Sequence, residues 1–144
     1  PEMILAGRRI NDRMGKYIST EISKELRKRN IDEKDAECLI LGLTFKENCP
    51  DVRNTKVLDI YNDMIGKFKK VDISDSRALE DSIIKVFNKK SVKFDKNNLK
   101  KYDVVVLAVN HTEYSTLHEG EWILPEQVIF DVKSVIDFEK VLSL

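Results

Sequence analysis

The stretch from Cys38 to Thr55, CLILGLTFKENCPDVRNT, decides how the chain is read. Leu39-Ile40-Leu41 is an uninterrupted apolar run, as expected of a strand covered on both faces. It ends at Gly42-Leu43-Thr44 and passes through Phe45, Lys46, Glu47, Asn48, Cys49 and Pro50 into a helical pattern near Asp51. A strand, a loop and a helix in that order open an α/β sheet. Ligands there sit beyond the carboxyl ends of the strands, and phosphates favour the first strand-to-helix turn. The turn has Gly42 but not the second and third glycines of G-x-G-x-x-G, so its backbone cannot hug a pyrophosphate as a dinucleotide turn does. What it offers instead is side chains: Phe45, Lys46 as a point charge, and Arg53 as a bidentate donor. Residue types alone leave open whether these cations bind an anion or decorate the surface.

Upstream, Ile10, Met14, Ile18, Ile22 and Leu26 recur every four positions and lay one apolar stripe along a long helix that needs a partner. Arg8, Arg9, Arg13, Lys16 and the cations at 24 and 27–29 outnumber the acids on this helix. The interspersed acids and the lack of aromatics favour a solvated face over a nucleic-acid or membrane surface. Gly15 weakens a helix by about 1 kcal/mol relative to Ala, which points to close packing there. Residues 30–37 are a polar connector.

Downstream, Thr55 to Lys67 predicts an amphipathic helix with Gly66 as its stop. Val71 to Ile73 predicts a strand, Ser74-Asp75-Ser76 a turn, and Leu79 to Phe87 a second helix. Residues 88–101, rich in Lys and Asn, predict a solvated loop with a small strand at Val92 to Phe94. Asp103 to Val109, DVVVLAV, is the strongest strand signal and ends in the polar turn Asn110-His111-Thr112-Glu113. A last strand at Val128 to Phe130 leads to Asp131-Val132-Lys133-Ser134 and a helical or irregular tail. The alternation predicts an α/β fold: a Rossmann-like parallel sheet with helices on both faces, preceded by one long N-terminal helix.

With 144 residues the chain fits one core, and 25 basic residues balance 25 acidic ones at a formal charge of +0. No global field selects nucleic acid or a membrane surface, and no apolar run approaches the roughly 20 residues of a membrane span. Cys38 and Cys49 are too few for a disulfide framework and lack metal-ligand spacing, so a reducing cytoplasm is expected and no metal site is. A chain that opens at Pro1 and runs straight into a helix suggests a piece of something longer. Lys133, at the end of the last strand, would share the rim with Lys46. Cys49 invites a nucleophile reading, but no base lies beside it in sequence, and the histidines, His111 and His118, are far along the chain. His111 reads as a capping or packing residue and Trp122 as a packing residue.

The segment Gly42, Phe45, Lys46, Asp51, Arg53 resembles the G-x-x-F-K-x-x-x-x-D-x-R of the C-terminal domain of the UDP-glucose/GDP-mannose dehydrogenase family. AGRRINDRMGKYI resembles the end of that family's central helix, YDVVVLAVNHTEY its penultimate strand and turn, and VIFDVKSVID its last strand. The variant FKENCPDVRNT is most similar to the branch acting on UDP-N-acetylhexosamines. The resemblance implies a division into residues 1–36, the end of an interdomain and dimerisation helix with its connector, and 37–144, a nucleotide-sugar-binding domain. It implies membership of an NAD-dependent nucleotide-sugar 6-dehydrogenase that oxidises a C6 alcohol to a carboxylate through a covalent Cys. Phe45, Lys46 and Lys133 would contact the UDP-sugar, and Arg53 would reach toward NAD across the cleft. NAD would be bound mainly by a glycine-rich domain that these residues lack. Cys49 does not match the family's nucleophile, so no catalytic residue is expected in this chain, and the piece alone should transfer no hydride. A homodimer is expected through the N-terminal helix at Ile10, Met14, Ile18 and Ile22. The second strand lacks the Pro that often follows it in the family. Two other readings remain: a stand-alone nucleotide-binding regulatory module, and a small NAD domain using Asp72 or Asp75 for the ribose.

Overall fold

In a computed structural model, five parallel strands form one sheet in the order β2-β1-β3-β4-β5. The structure describes residues 2–117, 122–132 and 141–143, with side chains for 14–117 and 122–132. The elements are helix α1 (Glu2–Lys28), strand β1 (Glu37–Leu41), helix α2 (Val57–Ile65), β2 (Lys70–Ser74), α3 (Glu80–Phe87), α4 (Lys96–Leu99), β3 (Val104–Leu107), β4 (Val128–Asp131) and β5 (Val141–Ser143). Register follows the apolar runs: Ile40 lies beside Ile73 on one side and Val106 on the other, and Val106 beside Phe130. From β1 the chain goes outward to β2, then crosses back to β3. The order therefore reverses at β1, and the crevice of such a sheet opens between the carboxyl ends of β1 and β3.

Alternate residues of β1, β3 and β4 feed two separate cores. Cys38, Ile40, Val104, Val106 and Phe130 face α1, α2 and α3, while Leu39, Leu41, Val105, Leu107 and Ile129 face the other way. Long helices cover the first face. The second is closed by the four-residue α4, a 3-10 turn at Thr112–Tyr114 and aromatic side chains, with Phe94 stacked on Trp122 at 4.9 Å. The expected parallel sheet with helices on both faces and a leading helix is therefore present, with short helical cover on the second side.

The stripe on α1 finds its partner within the chain. Ile18, Ile22 and Leu26 are fully buried in the same core as the sheet. This corrects the expectation that Ile18 and Ile22 form a dimer surface: periodicity reveals an apolar face but not what covers it, and here α2 does. Met14 is half-buried against that core, and the side chain of Ile10 lies outside the described residues. Gly15 sits where α1 crosses α2, and a Cβ there would lie 2.8 Å from the Asp59 carbonyl oxygen and 2.5 Å from Asp63 Oδ2. Close packing is thus the reason for the glycine.

Two other expectations change. Val92 to Phe94 forms no strand; Val92 donates its N–H to the Ile73 carbonyl and accepts from Ser74 Oγ, one point of attachment at the β2 edge. Val141–Ser143 forms a fifth parallel strand beside β4 where a helical or irregular tail is expected, because a three-residue segment becomes a strand only once an edge is offered to it; the rest of that tail lies outside the described residues. Gly66 stops α2 as expected, with an ordinary right-handed φ of −88°. Among the described residues no helix is long and apolar enough to cross a membrane.

Candidate functional site

The loop after β1 is built by its own polar groups. Gly42 has φ +88°, and a Cβ on it would meet the Val109 carbonyl oxygen at 2.5 Å and nitrogen at 2.7 Å. Its bare face is thus spent on bringing the ends of β1 and β3 together, and no cradle for a pyrophosphate is left. The Phe45 N–H donates to the Asp51 carbonyl, closing the loop. Thr55 Oγ1 donates to the Thr44 carbonyl and accepts the Val57 N–H, so one hydroxyl ties the loop's start to the first turn of α2. Asn48 and Asn54 take positive φ, a conformation that Asn adopts more readily than most residues.

This folding leaves Phe45 59% exposed at the mouth of a cleft of about 220 Å³. Its lining takes Thr44, Phe45, Lys46 and Glu47 from the loop, Thr55 and Lys56 from the start of α2, and apolar side chains that include Met14 and Val132. Lys46 and Lys56 therefore face one cavity, a pairing suited to a phosphate. Lys56 went unnoticed in the sequence, where it reads only as the residue before an amphipathic helix. Arg53 stands apart. Its guanidinium folds onto Asp51, with Nε to Oδ1 at 3.0 Å and Nη2 to Oδ2 at 2.9 Å, and its side chain is 84% exposed. The fork on Asp51, with the Arg53 N–H beside it, holds that carboxyl below its usual range. Lys133 and His118 lie outside the described residues.

The structure brings His111 to the loop, but not as a base for Cys49. Its Nδ1 accepts the Asn48 N–H at 2.9 Å and its Nε2 lies 2.9 Å from Asp75 Oδ2. Asp75 also accepts the N–H groups of Leu43, Arg77 and Ala78. Burial raises the affinity of this carboxyl for a proton, yet the hydrogen bonds from His111 and the three amides outweigh it and hold Asp75 below the usual carboxylate range. Beside it, the Arg77 fork holds Glu113 down to about 2, linking the loops after β2 and β3.

The small-NAD-domain reading therefore meets an obstacle, since both acids proposed for the ribose are engaged. Asp75 serves the loops, and Asp72 accepts the Tyr102 hydroxyl at 2.6 Å with Lys70 and Lys89 alongside. With Gly42 closed against Val109, the turn after β1 does not fit the pyrophosphate of a dinucleotide. Among the described residues no group of His, Cys, Asp and Glu could hold a metal ion.

The chain is 40% identical over 142 residues to the Staphylococcus aureus protein CapL, covering 97% of this chain and 33% of that one. It is 36% identical over 144 residues to the UDP-N-acetyl-D-glucosamine 6-dehydrogenase of Salmonella typhi, again covering 97% and 33%. It thus spans about a third of the length of the curated relatives it matches. The solved UDP-D-ManNAc dehydrogenase from Pyrococcus horikoshii superposes with a TM-score of 0.77 at 22% identity, over 94% of this chain and 32% of the other, a likeness of fold. The model of the UDP-glucose/GDP-mannose dehydrogenase family, UDP binding domain, matches residues 39–138, from within β1 to beyond β4. On that match, and with the Phe45–Lys46 loop at the mouth of its cleft, the chain belongs to the UDP-glucose/GDP-mannose dehydrogenase family and comprises its UDP-binding domain.

Proposed function

We propose that this chain is the UDP-sugar-binding part of an NAD-dependent nucleotide-sugar 6-dehydrogenase, which oxidises a C6 alcohol to a carboxylate for polysaccharide precursors. The observation that carries this reading is the loop at the switch point, which presents Phe45 and Lys46 to a cleft in a chain of this family. Phe45 supplies an apolar face for the ligand, and Lys46 with Lys56 supplies positive charge for its phosphates. Lys133 is proposed to contact the same substrate. Arg53, solvent-facing on its Asp51 anchor, is proposed to reach an NAD held by residues outside this chain. The substrate is a UDP-N-acetylhexosamine, by analogy with the names of the relatives at 36–37% identity. Residues 1–36 serve as the link toward the rest of the enzyme, and residues 37–144 as the nucleotide-sugar domain. The homodimer is proposed through the outward face of α1, where Tyr17 is exposed, rather than through Ile18 and Ile22. Two free thiols suit a reducing cytoplasm. Hydride transfer and the covalent step are assigned to residues beyond these, because Cys38 is buried in β1 and Cys49 does not match the family's nucleophile.

Isothermal titration with UDP tests the reading. Lys46→Ala and Lys56→Ala are each expected to weaken binding about tenfold, the worth of one charge-assisted hydrogen bond. Equal binding by Lys46→Ala and wild type would remove Lys46 from the site.

A further inference from the structure

His111 and Asp75 are the polar pair on which three rim loops converge, and both side chains are 0% exposed. His111 follows β3, Asp75 follows β2, and the groups they hold, the Leu43 and Asn48 N–H groups, follow β1. An amide can only donate, so the Asn48 N–H at 2.9 Å requires a bare Nδ1, and the ring proton sits on Nε2, facing Asp75 Oδ2. Thr44 Oγ1 lies 3.4 Å from the same Nε2 and donates instead to the Lys46 carbonyl at 2.9 Å. Asn48 returns the contact across the loops, its Oδ1 accepting the Thr112 N–H at 2.9 Å. The Tyr114 ring, 5.4 Å from the imidazole, closes the remaining side. The loop is thus fixed at Leu43 by Asp75 and at Asn48 by His111, and between those two points stand Phe45 and Lys46.

We propose that His111, in its neutral Nε2–H form and braced by Asp75, is the positioning residue that holds the Phe45–Lys46 segment in its ligand-binding shape. This rests on the UDP-binding reading above. The imidazole touches no ligand in this scheme; it sets where the residues that do so stand. Preorganisation of this kind shows as affinity, because a loop already in its bound form has no ordering cost on binding.

Two substitutions separate positioning from bulk packing. In His111→Asn the amide oxygen falls near Nδ1 and can accept the Asn48 N–H, whereas in His111→Gln the longer amide reaches toward Asp75 and leaves Asn48 unpaired. UDP titration of the chain is expected to show His111→Gln and His111→Ala weakened about tenfold or more and His111→Asn within about threefold of wild type. Hydrogen exchange at the Asn48 amide should follow the same order. Binding that tracks melting temperature across the three variants, with Asn no better than Gln, would overturn the positioning role. In wild type, long-range proton–nitrogen NMR should find the ring proton on Nε2; a proton on Nδ1 would overturn the proposal without any variant. If wild type fails to bind UDP while Asn48 exchange still separates Asn from Gln, the nucleotide reading falls and the loop clamp stands. If wild type binds and His111→Ala binds equally, the clamp falls and the nucleotide reading stands.

Discussion

Replacing Gly42 with Ala tests the closest backbone approach in the site. The substitution keeps φ at +88°, where an L-residue costs about 1–2 kcal/mol. It also drives a methyl to 2.5 Å from the Val109 carbonyl oxygen, 2.7 Å from its nitrogen and 2.8 Å from its Cβ. Two of those atoms are backbone just past β3, where the Ala108 and Val109 N–H groups donate to the Leu41 carbonyl, so they cannot swing aside as a side-chain tip can. Overpacking of this kind costs about 1–3 kcal/mol, which brings the loss to about 2–5 kcal/mol. At roughly 2–4 °C per kcal/mol for a domain near this size, thermal unfolding followed by circular dichroism should show Tm falling by about 4–20 °C. Gly66→Ala is the internal control. Its φ is negative and no heavy atom lies within 4 Å of the added Cβ, so it should be neutral or stabilise by about 0.5–1 kcal/mol through the unfolded chain. A Gly42→Ala chain that melts within about 2 °C of wild type would refute the close approach of β1 and β3 at the switch point.

Acid stability should depend on Asp75. Its folded-state pKa is depressed, so its contribution is fully present above the ordinary carboxylate range and is lost as pH falls through the lower folded value. Asp75→Asn should therefore lose about 1–3 kcal/mol near neutral pH, with the gap to wild type closing on acidification, as read by urea midpoints across pH. A gap that stays constant below pH about 3 would show that the carboxylate's charge is not what the loops use. The cysteines should differ in reactivity: burial, with Asp103 and Glu37 nearby, pushes the Cys38 thiol far up, while Cys49 is half-exposed in the loop. A thiol reagent should modify one cysteine in the folded chain and both in denaturant; prompt labelling of Cys38 under native conditions would contradict its place in β1.

The strands were legible because a run covered on both faces has no polar alternation to confuse it, as DVVVLAV and CLIL show. Gly15 was legible for a similar reason, since a glycine inside a strong helical pattern needs a neighbour to justify it. Other features lay beyond local pattern. The α1 stripe announced a buried face, yet Ile18 and Ile22 pack on their own sheet rather than on a second chain. The fifth strand needed the β4 edge before three residues could pair. In the site, Phe45 and Lys46 stood out as side chains in a glycine-poor turn, whereas Lys56 acquired meaning only when the start of α2 was folded over the same cleft.

By itself the sequence determined the succession of strands and helices, the loop that faces the ligand, and the family it resembles, because these reside in spacing and residue type along a continuous stretch. Only the tertiary structure decided that Gly42 abuts Val109, that Arg53 is held by Asp51 outside the cleft, and that His111 is committed to Asn48 and Asp75. A hydrogen bond or a close contact needs two groups within a few ångströms, and Asp75 and His111, 36 residues apart in the chain, meet only after the parallel crossover has brought the ends of β2, β1 and β3 to one rim.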